Sequence, residues 1–543
     1  MNTPHLHGPI AVIGAGTMGI GIAQVAAQAG HPVLLFDLNG EVVSQALNNL
    51  RTRLHQRVAA GKAEANATET LLQRITQVNT LHALAPCSLV IEAIVEQLEA
   101  KQDLFQQLES ICSHQTLFAS NTSSLSITSI ARVLSAPQRM AGLHFFNPAP
   151  LMKLVEIVQG LETASQTVAT LKTLVTGWKK QPVICRSTPG FIVNRIARPF
   201  YAETLRALEE RIATPATLDA VLKESGGFAM GPLQLMDLIG NDINYTVTES
   251  LFHAFHYDPR FQPSLLQKEL VDADHLGRKR GRGFYYYDIK GNNNIRKNGG
   301  TKENQPQPKI EPKHTKAQKQ PVRIKATGNW AALPHFIALL QQPELQQYGI
   351  IFEESKNDRF HSPTLQVDEV LLILAKGRTS AQIADEVRAP VVQFDLSANH
   401  QLASIITLSA ACQNTPQQTA KVIGFLQSLG KQVILLPDYP ALLTMRTVAM
   451  LCNEALDAIH KGIASAEDID LAMCHGVNYP IGPLAWGEQL GWKHILSTLE
   501  NLQKFYGESR YRPAPLLRQL AVGHTRLPLQ QAQKHKKGVD HAR

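Results

Sequence analysis

The chain predicts an α/β protein. A doubly wound, Rossmann-like domain is followed by an all-α domain, then by a degenerate Rossmann-like segment and a second copy of the all-α domain. Three observations carry this. A short apolar strand runs straight into a glycine-rich turn and a helix over residues 10–29. Apolar strands then alternate with helical stretches to about residue 185, the pattern of a parallel sheet with crossover helices. The helical part that follows recurs at one spacing: Glu203 with Glu454, Asp219 with Asp470, and Gly231-Pro-Leu233 with Gly482-Pro-Leu484 all stand 251 positions apart (454 − 203 = 251). Pro189 with Pro440 and Arg195 with Arg446 fall on the same spacing, and an ungapped match of that length points to duplication.

Element by element, Ile10-Ala-Val-Ile13 is the first strand and Gly14-Ala-Gly-Thr-Met-Gly19 fits G-x-G-x-x-G. Gly14 permits the tight turn, Gly16 lets the backbone approach a pyrophosphate, and Gly19 allows close packing of helix on strand. Thr17 and Met18 then open a helix whose first amides face the anion. Gly30-His-Pro32 closes that helix, and Val33-Leu-Leu-Phe36 is a second strand ending in Asp37. A carboxylate there accepts from ribose hydroxyls and repels a 2′-phosphate, so NAD is expected over NADP. Residues 41–80 read as an inserted helical pair carrying Arg51, Arg53, Arg57 and Lys62, a set suited to a CoA phosphate or to a solvated face. Leu89-Val-Ile91, Leu117-Phe-Ala119, Met140-Ala-Gly-Leu143 and Val155-Glu-Ile-Val158 are later strands. The expected boundaries are 8–187 for the NAD-binding domain, 188–288 for the helical domain, 289–321 for a polar basic linker, 322–436 for the degenerate segment and 437–525 for the second helical copy. Within the degenerate segment, residues 322–328, 350–353 and 391–394 resemble a shortened relic of the first strand order, with only Gly328 left of the glycine turn.

Composition narrows the function classes. A chain of 543 residues exceeds one core and implies three or four domains. With 44% hydrophobic and 18% charged residues it reads as a soluble globular enzyme. No apolar run reaches the roughly 18 residues that span a bilayer, and Met1 to Gly8 lack a secretory pattern. Six cysteines without a C-x-x-C pair argue against a zinc site or disulfide framework and for a reducing, cytoplasmic setting. The net charge of +8 is concentrated in Lys290 to Lys325 and Lys534-His-Lys-Lys537, a linker and a tail rather than a nucleic-acid surface.

Oxidising a secondary alcohol with NAD needs a base for the hydroxyl proton and donors for the developing carbonyl oxygen. Histidine, with an unperturbed pKa of ~6.5, suits the base. His144 is the candidate because Glu156, on the next strand, is placed to bind its other ring nitrogen. Ser123 and Asn194 are short polar groups able to hydrogen-bond the substrate oxygen.

Gly14-Ala-Gly-Thr-Met-Gly19, Asn121-Thr-Ser-Ser124, His144-Phe-Phe-Asn-Pro148 and Pro189-Gly-Phe191 with Asn194-Arg195 resemble the L-3-hydroxyacyl-CoA dehydrogenase family in order and approximate spacing. The resemblance covers residues 8–288 and, duplicated, about 437–520. It implies that His144 is the general base, Glu156 its carboxylate partner, and Ser123 and Asn194 the contacts to the 3-oxygen. It also implies that Glu96, Lys101 and Asn147 line the nicotinamide and its ribose, and that (3S)-hydroxyacyl-CoA and NAD give 3-oxoacyl-CoA and NADH. In the second half His144 maps to Asp395, Glu156 to Thr407 and Asn194 to Met445. That half lacks the chemistry, so its expected job is to cover an apolar face that shorter members bury by dimerising. The result is an internal pseudo-dimer, with a further homo-oligomer left open. The long form resembles bacterial members of the family acting on 3-hydroxybutyryl-CoA and 3-hydroxyadipyl-CoA in phenylacetate catabolism. No hydratase segment precedes the glycine turn, unlike fused β-oxidation enzymes. Two rival readings keep NAD: a dehydrogenase of hydroxy or sugar acids without CoA, and a non-catalytic NAD-binding protein. Retention of all four reactive groups in the first half only argues against the second.

Overall fold

The computed structural model describes residues 8–287, 307–314, 323–328, 330–342, 351–352, 363–523 and 527. Its first sheet has eight strands: β1 (Ile10–Ile13), β2 (Val33–Phe36), β3 (Ile75–Gln77), β4 (Leu89–Glu92), β5 (Leu117–Ser120), β6 (Met140–Phe145), β7 (Leu154–Gln159) and β8 (Gln181–Arg186). They lie in the order β3-β2-β1-β4-β5-β6-β7-β8, parallel throughout except for the β6–β7 pair. Around them run α1 (Thr17–Gln28), α2 (Gly40–Ala59), α3 (Ala65–Gln73), α4 (Leu98–Ile111), α5 (Ile127–Ala131) and α6 (Ser165–Gly177). β1 is apolar at every position because both faces are covered: Ile10 and Val12 enter one core, Ala11 and Ile13 the other. The expected helical region 41–80 ends differently. α3 stops at Gln73, and Ile75–Gln77 joins the sheet edge opposite Val33–Leu35. Three residues are too few to show a period, so only pairing with β2 makes them a strand.

The first helical set comprises α7 (Val193–Ile196), α8 (Arg198–Glu209), α9 (Pro215–Ala220), α10 (Pro232–Ile239), α11 (Asn241–Ala254) and α12 (Leu265–Asp272). Asp219 caps α10 by accepting from the amides of Leu233 and Gln234 at 2.9 Å each. Gly231 sits against it so tightly that a Cβ would lie 2.3 Å from the Asp219 Cβ. The recurring Asp and Gly-Pro-Leu are therefore one device, a carboxylate-capped helix start. Asp470 repeats it on Leu484 and Ala485.

The second sheet contains β9 (Ile324–Thr327), β10 (Ile351–Phe352), β11 (Thr364–Val367), β12 (Val370–Leu374), β13 (Val391–Phe394), β14 (Ile405–Ala410) and β15 (Gln432–Leu436), in the order β10-β9-β11-β12-β13-β14-β15. α13 (Pro334–Leu340), α14 (Ser380–Val387) and α15 (Pro416–Ser428) accompany it. Then come α16 (Leu443–His460), α17 (Ala466–Gly476), α18 (Pro483–Leu490), α19 (Trp492–Tyr506) and α20 (Pro515–Ala521). The spacing of 251 seen in the helical part extends into this sheet: β14 starts 251 residues after β7 (405 − 154) and α15 the same distance after α6 (416 − 165). Upstream the likeness fades. An antiparallel hairpin, β11–β12, replaces the β4–β5 crossover, and among the described residues no helix opens at Gly328. Of the relic strands, Val322, Ile350 and Glu353 lie outside the described residues.

Residues 307–314, expected as solvated linker, are docked. Lys309 N donates to Thr217 Oγ1 at 3.0 Å, Glu311 N to Val433 O at 2.7 Å and His314 N to Gln427 Oε1 at 2.7 Å. Main-chain groups make these bonds, so a polar composition gave no sign of them. The remainder of 289–321 lies outside the described residues.

One core runs from a face of the first sheet through both helical sets to the second sheet. Phe228 packs on Tyr479 and Trp486 across the junction. Polar contacts there are reciprocal. Arg195 and Arg260 reach Glu454 at 2.6 and 2.9 Å, while Arg446 and Tyr511 reach Glu203, 251 residues before Glu454, at 3.6 and 3.0 Å. Residue i meets j and j meets i, as in a two-fold dimer. No helix among the described residues is long and apolar enough to cross a membrane.

Candidate active site

At the end of β1, Gly14 takes φ +98°, and a Cβ on it would lie 2.4 Å from the Ala93 carbonyl oxygen. A Cβ on Gly19 would lie 1.7 Å from the Gly14 oxygen, so turn and helix can close only with glycine at both places. Gly16 is the opposite case: a Cβ would meet nothing within 4 Å. Gly16 is also the N-cap of α1 and has no side chain to satisfy the first amides, those of Thr17 and Met18 among them. Ala15 N donates to Asp37 Oδ2 at 2.8 Å, which ties the end of β2 to the turn. Ala15, Gly16 and Thr17 line a cleft of about 360 Å³ whose far wall is α2, with Arg53 at its edge. Of the basic residues predicted on α2, Arg53 bonds Gln24 and Arg51 bonds Asn48. These features fit a dinucleotide: open backbone at Gly16, uncapped amides and a carboxylate one strand over.

The carboxyl ends of β4 and β5 add a charged line. Glu92, fully buried, accepts from Lys101 Nζ at 2.6 Å, Ser120 Oγ at 2.6 Å and Ile94 N at 2.7 Å. Lys101 also stands 3.3 Å from Glu96 Oε2. Glu96 Oε1 takes the Thr122 hydroxyl at 2.7 Å, the Ser123 amide at 2.9 Å and its hydroxyl at 3.3 Å. Burial pushes the Glu96 carboxyl up, but the Thr122 hydroxyl, the Lys101 ammonium and the Ser123 amide outweigh it and hold it below the usual range.

His144 on β6 faces Glu156 on β7 as a cross-strand pair, Nδ1 to Oε2 at 2.6 Å, with the Glu156 side chain fully buried. The other Glu156 oxygen accepts from the amides of Ile192 and Val193 at 3.0 Å each, at the start of α7. The helix thus holds the carboxylate by its positive end. Asn194 follows Val193, half-buried, its side-chain amide without a protein hydrogen bond among the described residues. Asn147 is exposed just past β6, and Asn121 Oδ1 accepts from Phe145 N at 2.8 Å, joining the β5 loop to β6.

The structure therefore gathers Gly14 to Gly19 with Asp37, Glu96 with Lys101 and Ser123, and His144 with Glu156, around the carboxyl ends of β1, β2, β4, β5 and β6. Ligands bind there in open α/β sheets. The Ser123 hydroxyl is engaged by Glu96 and makes no hydrogen bond to His144. Sequence reasoning missed Glu92. Its signal was an acid closing the apolar run Leu89-Val-Ile91 at a strand's carboxyl end.

In the second half the equivalent place is closed. Asp395, where His144 would stand, turns onto the helix start and accepts from Thr444 N at 2.8 Å and Met445 N at 2.9 Å. Burial pushes its carboxyl up to about 6 although the Thr444 and Met445 amides pull it down. Thr407, in place of Glu156, is fully buried.

Residues 9–188 match the family description "3-hydroxyacyl-CoA dehydrogenase, NAD binding domain", and residues 190–287 and 443–534 its C-terminal domain. Residues 372–440 match "3-hydroxybutyryl-CoA dehydrogenase reduced Rossmann-fold domain". The chain is 47% identical over 513 residues to an Escherichia coli 3-hydroxyadipyl-CoA dehydrogenase, covering 94% of this chain and 97% of the relative. A Bacillus subtilis probable 3-hydroxybutyryl-CoA dehydrogenase is 41% identical over 52% of this chain and 98% of its own length. The crystal structure of a 3-hydroxybutyryl-CoA dehydrogenase from Escherichia coli superposes with a TM-score of 0.80 at 46% identity, covering 96% of this chain and 99% of that one. The chain belongs to the 3-hydroxyacyl-CoA dehydrogenase family.

Proposed function

We propose that this NAD-dependent enzyme oxidises short (3S)-hydroxyacyl-CoA esters to 3-oxoacyl-CoA, with 3-hydroxybutyryl-CoA or its dicarboxylic counterpart 3-hydroxyadipyl-CoA as substrate, in cytoplasmic fatty-acid or aromatic-acid catabolism. The observation that carries the reading is the His144–Glu156 pair anchored on the α7 amides, in the half that keeps the open glycine turn and not in the other. The relatives' names support the acyl-CoA class.

The geometry supports the following roles. Glu156 accepts the Nδ1 proton of His144, which leaves Nε2 as the ring nitrogen free to take the substrate hydroxyl proton. Two amides hold the Glu156 carboxyl group beside the ring, where it stabilises the imidazolium that forms. Asn194 and Ser123 bond the 3-oxygen. Glu96 and Lys101, the latter fixed by Glu92, line the nicotinamide side with Asn147, and Asp37 takes the ribose hydroxyls. Bound NAD supplies the hydride acceptor at its nicotinamide C4. The reciprocal contacts between the halves support the internal pseudo-dimer.

The test is NADH consumption with acetoacetyl-CoA beside longer and dicarboxylic 3-oxoacyl-CoAs. Turnover of one of these, with none of free 3-oxo acids or sugar acids, is expected. Turnover of the free acids alone overturns the CoA reading.

A further inference from the structure

Helix α7 carries Asn194 and supplies the amides that fix Glu156. What fixes α7 comes from the second half of the chain. Arg195 donates from Nε to Glu454 Oε1 and from Nη2 to Asp457 Oδ2, both at 2.6 Å. The two acids lie about one turn apart on α16, and all three side chains are buried. The guanidinium also lies 5.1 Å over the Phe255 ring. A second grip comes from α17, which packs on both β7 and α7. At its end, a Cβ on Gly476 would stand 2.5 Å from Leu154 Cδ2 and 3.1 Å from Val193 Cγ2. Leu154 begins β7 two residues before Glu156, and Val193 is one of the amide donors. The second half therefore holds the strand that carries Glu156 and the helix that binds it.

We propose that the second half, which has no base or orienting carboxylate of its own, is a positioning element for the first. Glu454, Asp457 and Gly476 set α7 against β7 and so aim the Glu156 carboxylate at His144. The inference rests on the reading of His144 and Glu156 as the acid-base pair. Its leverage is geometric: misplacing a reacting group by about 1 Å costs on the order of 10²-fold in rate. The nearest atom to the added methyl is the flexible end of Leu154 and the next is Val193 Cγ2, so the methyl presses on both β7 and α7 and shifts the site without breaking the fold.

The test uses the full chain carrying Gly476→Ala. The expected result is a kcat lowered about 10-fold, NADH affinity by fluorescence within about two-fold of the parent, and a shifted limb in the kcat–pH profile. Adding Leu154→Val, which withdraws the atom the new methyl meets, restores most of kcat. A general loss of stability gives additive losses instead. Parental kcat and pH profile in Gly476→Ala, or a double variant worse than either single one, overturns the proposal. Should Gly476→Ala not fold, Glu454→Gln, which keeps the shape but leaves one oxygen in place of the two that accept from Arg195 and Arg260, is read the same way. His144→Gln runs in parallel. Full activity there overturns the acid-base reading, whereas an inactive His144→Gln beside a parental Gly476→Ala overturns the clamp alone.

Discussion

At the scale of single residues, the histidine and its carboxylate form one hydrogen-bonded pair, and the proposed chemistry makes them act together. Removing a positioned general base typically costs ~10² to 10⁴ in rate, so His144→Gln should lose kcat on that scale while NADH binding by fluorescence stays near the parent. Glu156→Gln should act through the same imidazole, and the double variant should lose far less than the product of the two. Either single variant keeping more than about half of kcat removes the assignment. Asp37 is the residue proposed to select the cofactor. Its carboxylate accepts from Ala15 N at the glycine turn; as the proposed ribose acceptor, its loss in Asp37→Ala should weaken NADH and relax discrimination against NADPH. Better use of NADPH than NADH by the parent would contradict this.

At the scale of elements, the second half holds two buried neutral imidazoles. His400 packs edge-on against the stacked rings of Phe336 and Phe394 and bonds the Asp395 carbonyl, and His494 on α19 bonds the Ala375 carbonyl, each at 3.2 Å. Burial holds both imidazoles down to about 4, helped by Lys431 at His400 and by Lys376 at His494. Folded, they stay neutral to about pH 4; unfolded, they take protons near 6.5. The unfolded chain thus binds more protons in that window, and stability falls as pH drops from about 6.5 to about 4, by up to roughly 3 kcal/mol per ring. Melting temperature followed across this range should fall, and His400→Gln with His494→Gln should flatten the slope. An unchanged slope in the double variant would mean that these rings are not the cause.

At the scale of the whole molecule, the halves share one core and differ in one site. Phe200 and Phe228 on the first helical set pack on Tyr479 of the second. A chain ending at Tyr287 should therefore expose these rings and self-associate. A truncated chain that stays monomeric and fully active leaves the second half without a physical role. Because Asp395 closes the second site and among the described residues no helix opens at Gly328, calorimetric titration should find one NAD per chain. Two sites would contradict the closed geometry.

Local, contiguous signals were legible in the sequence: the glycine turn with Asp37, most strands of the first sheet, the His144 and Glu156 candidates, and the repeat at 251. Each rests on neighbours along the chain or on a fixed spacing, and so survives without coordinates. The three-residue β3, the docking of 307–314, the Glu92–Lys101 pair and the antiparallel hairpin β11–β12 were not legible. They exist only because distant backbone or buried charge supplies a partner. The grip of Glu454, Asp457 and Gly476 on α7 belongs there too, since 259 residues separate Arg195 from Glu454 and only the packing of one half on the other brings them together.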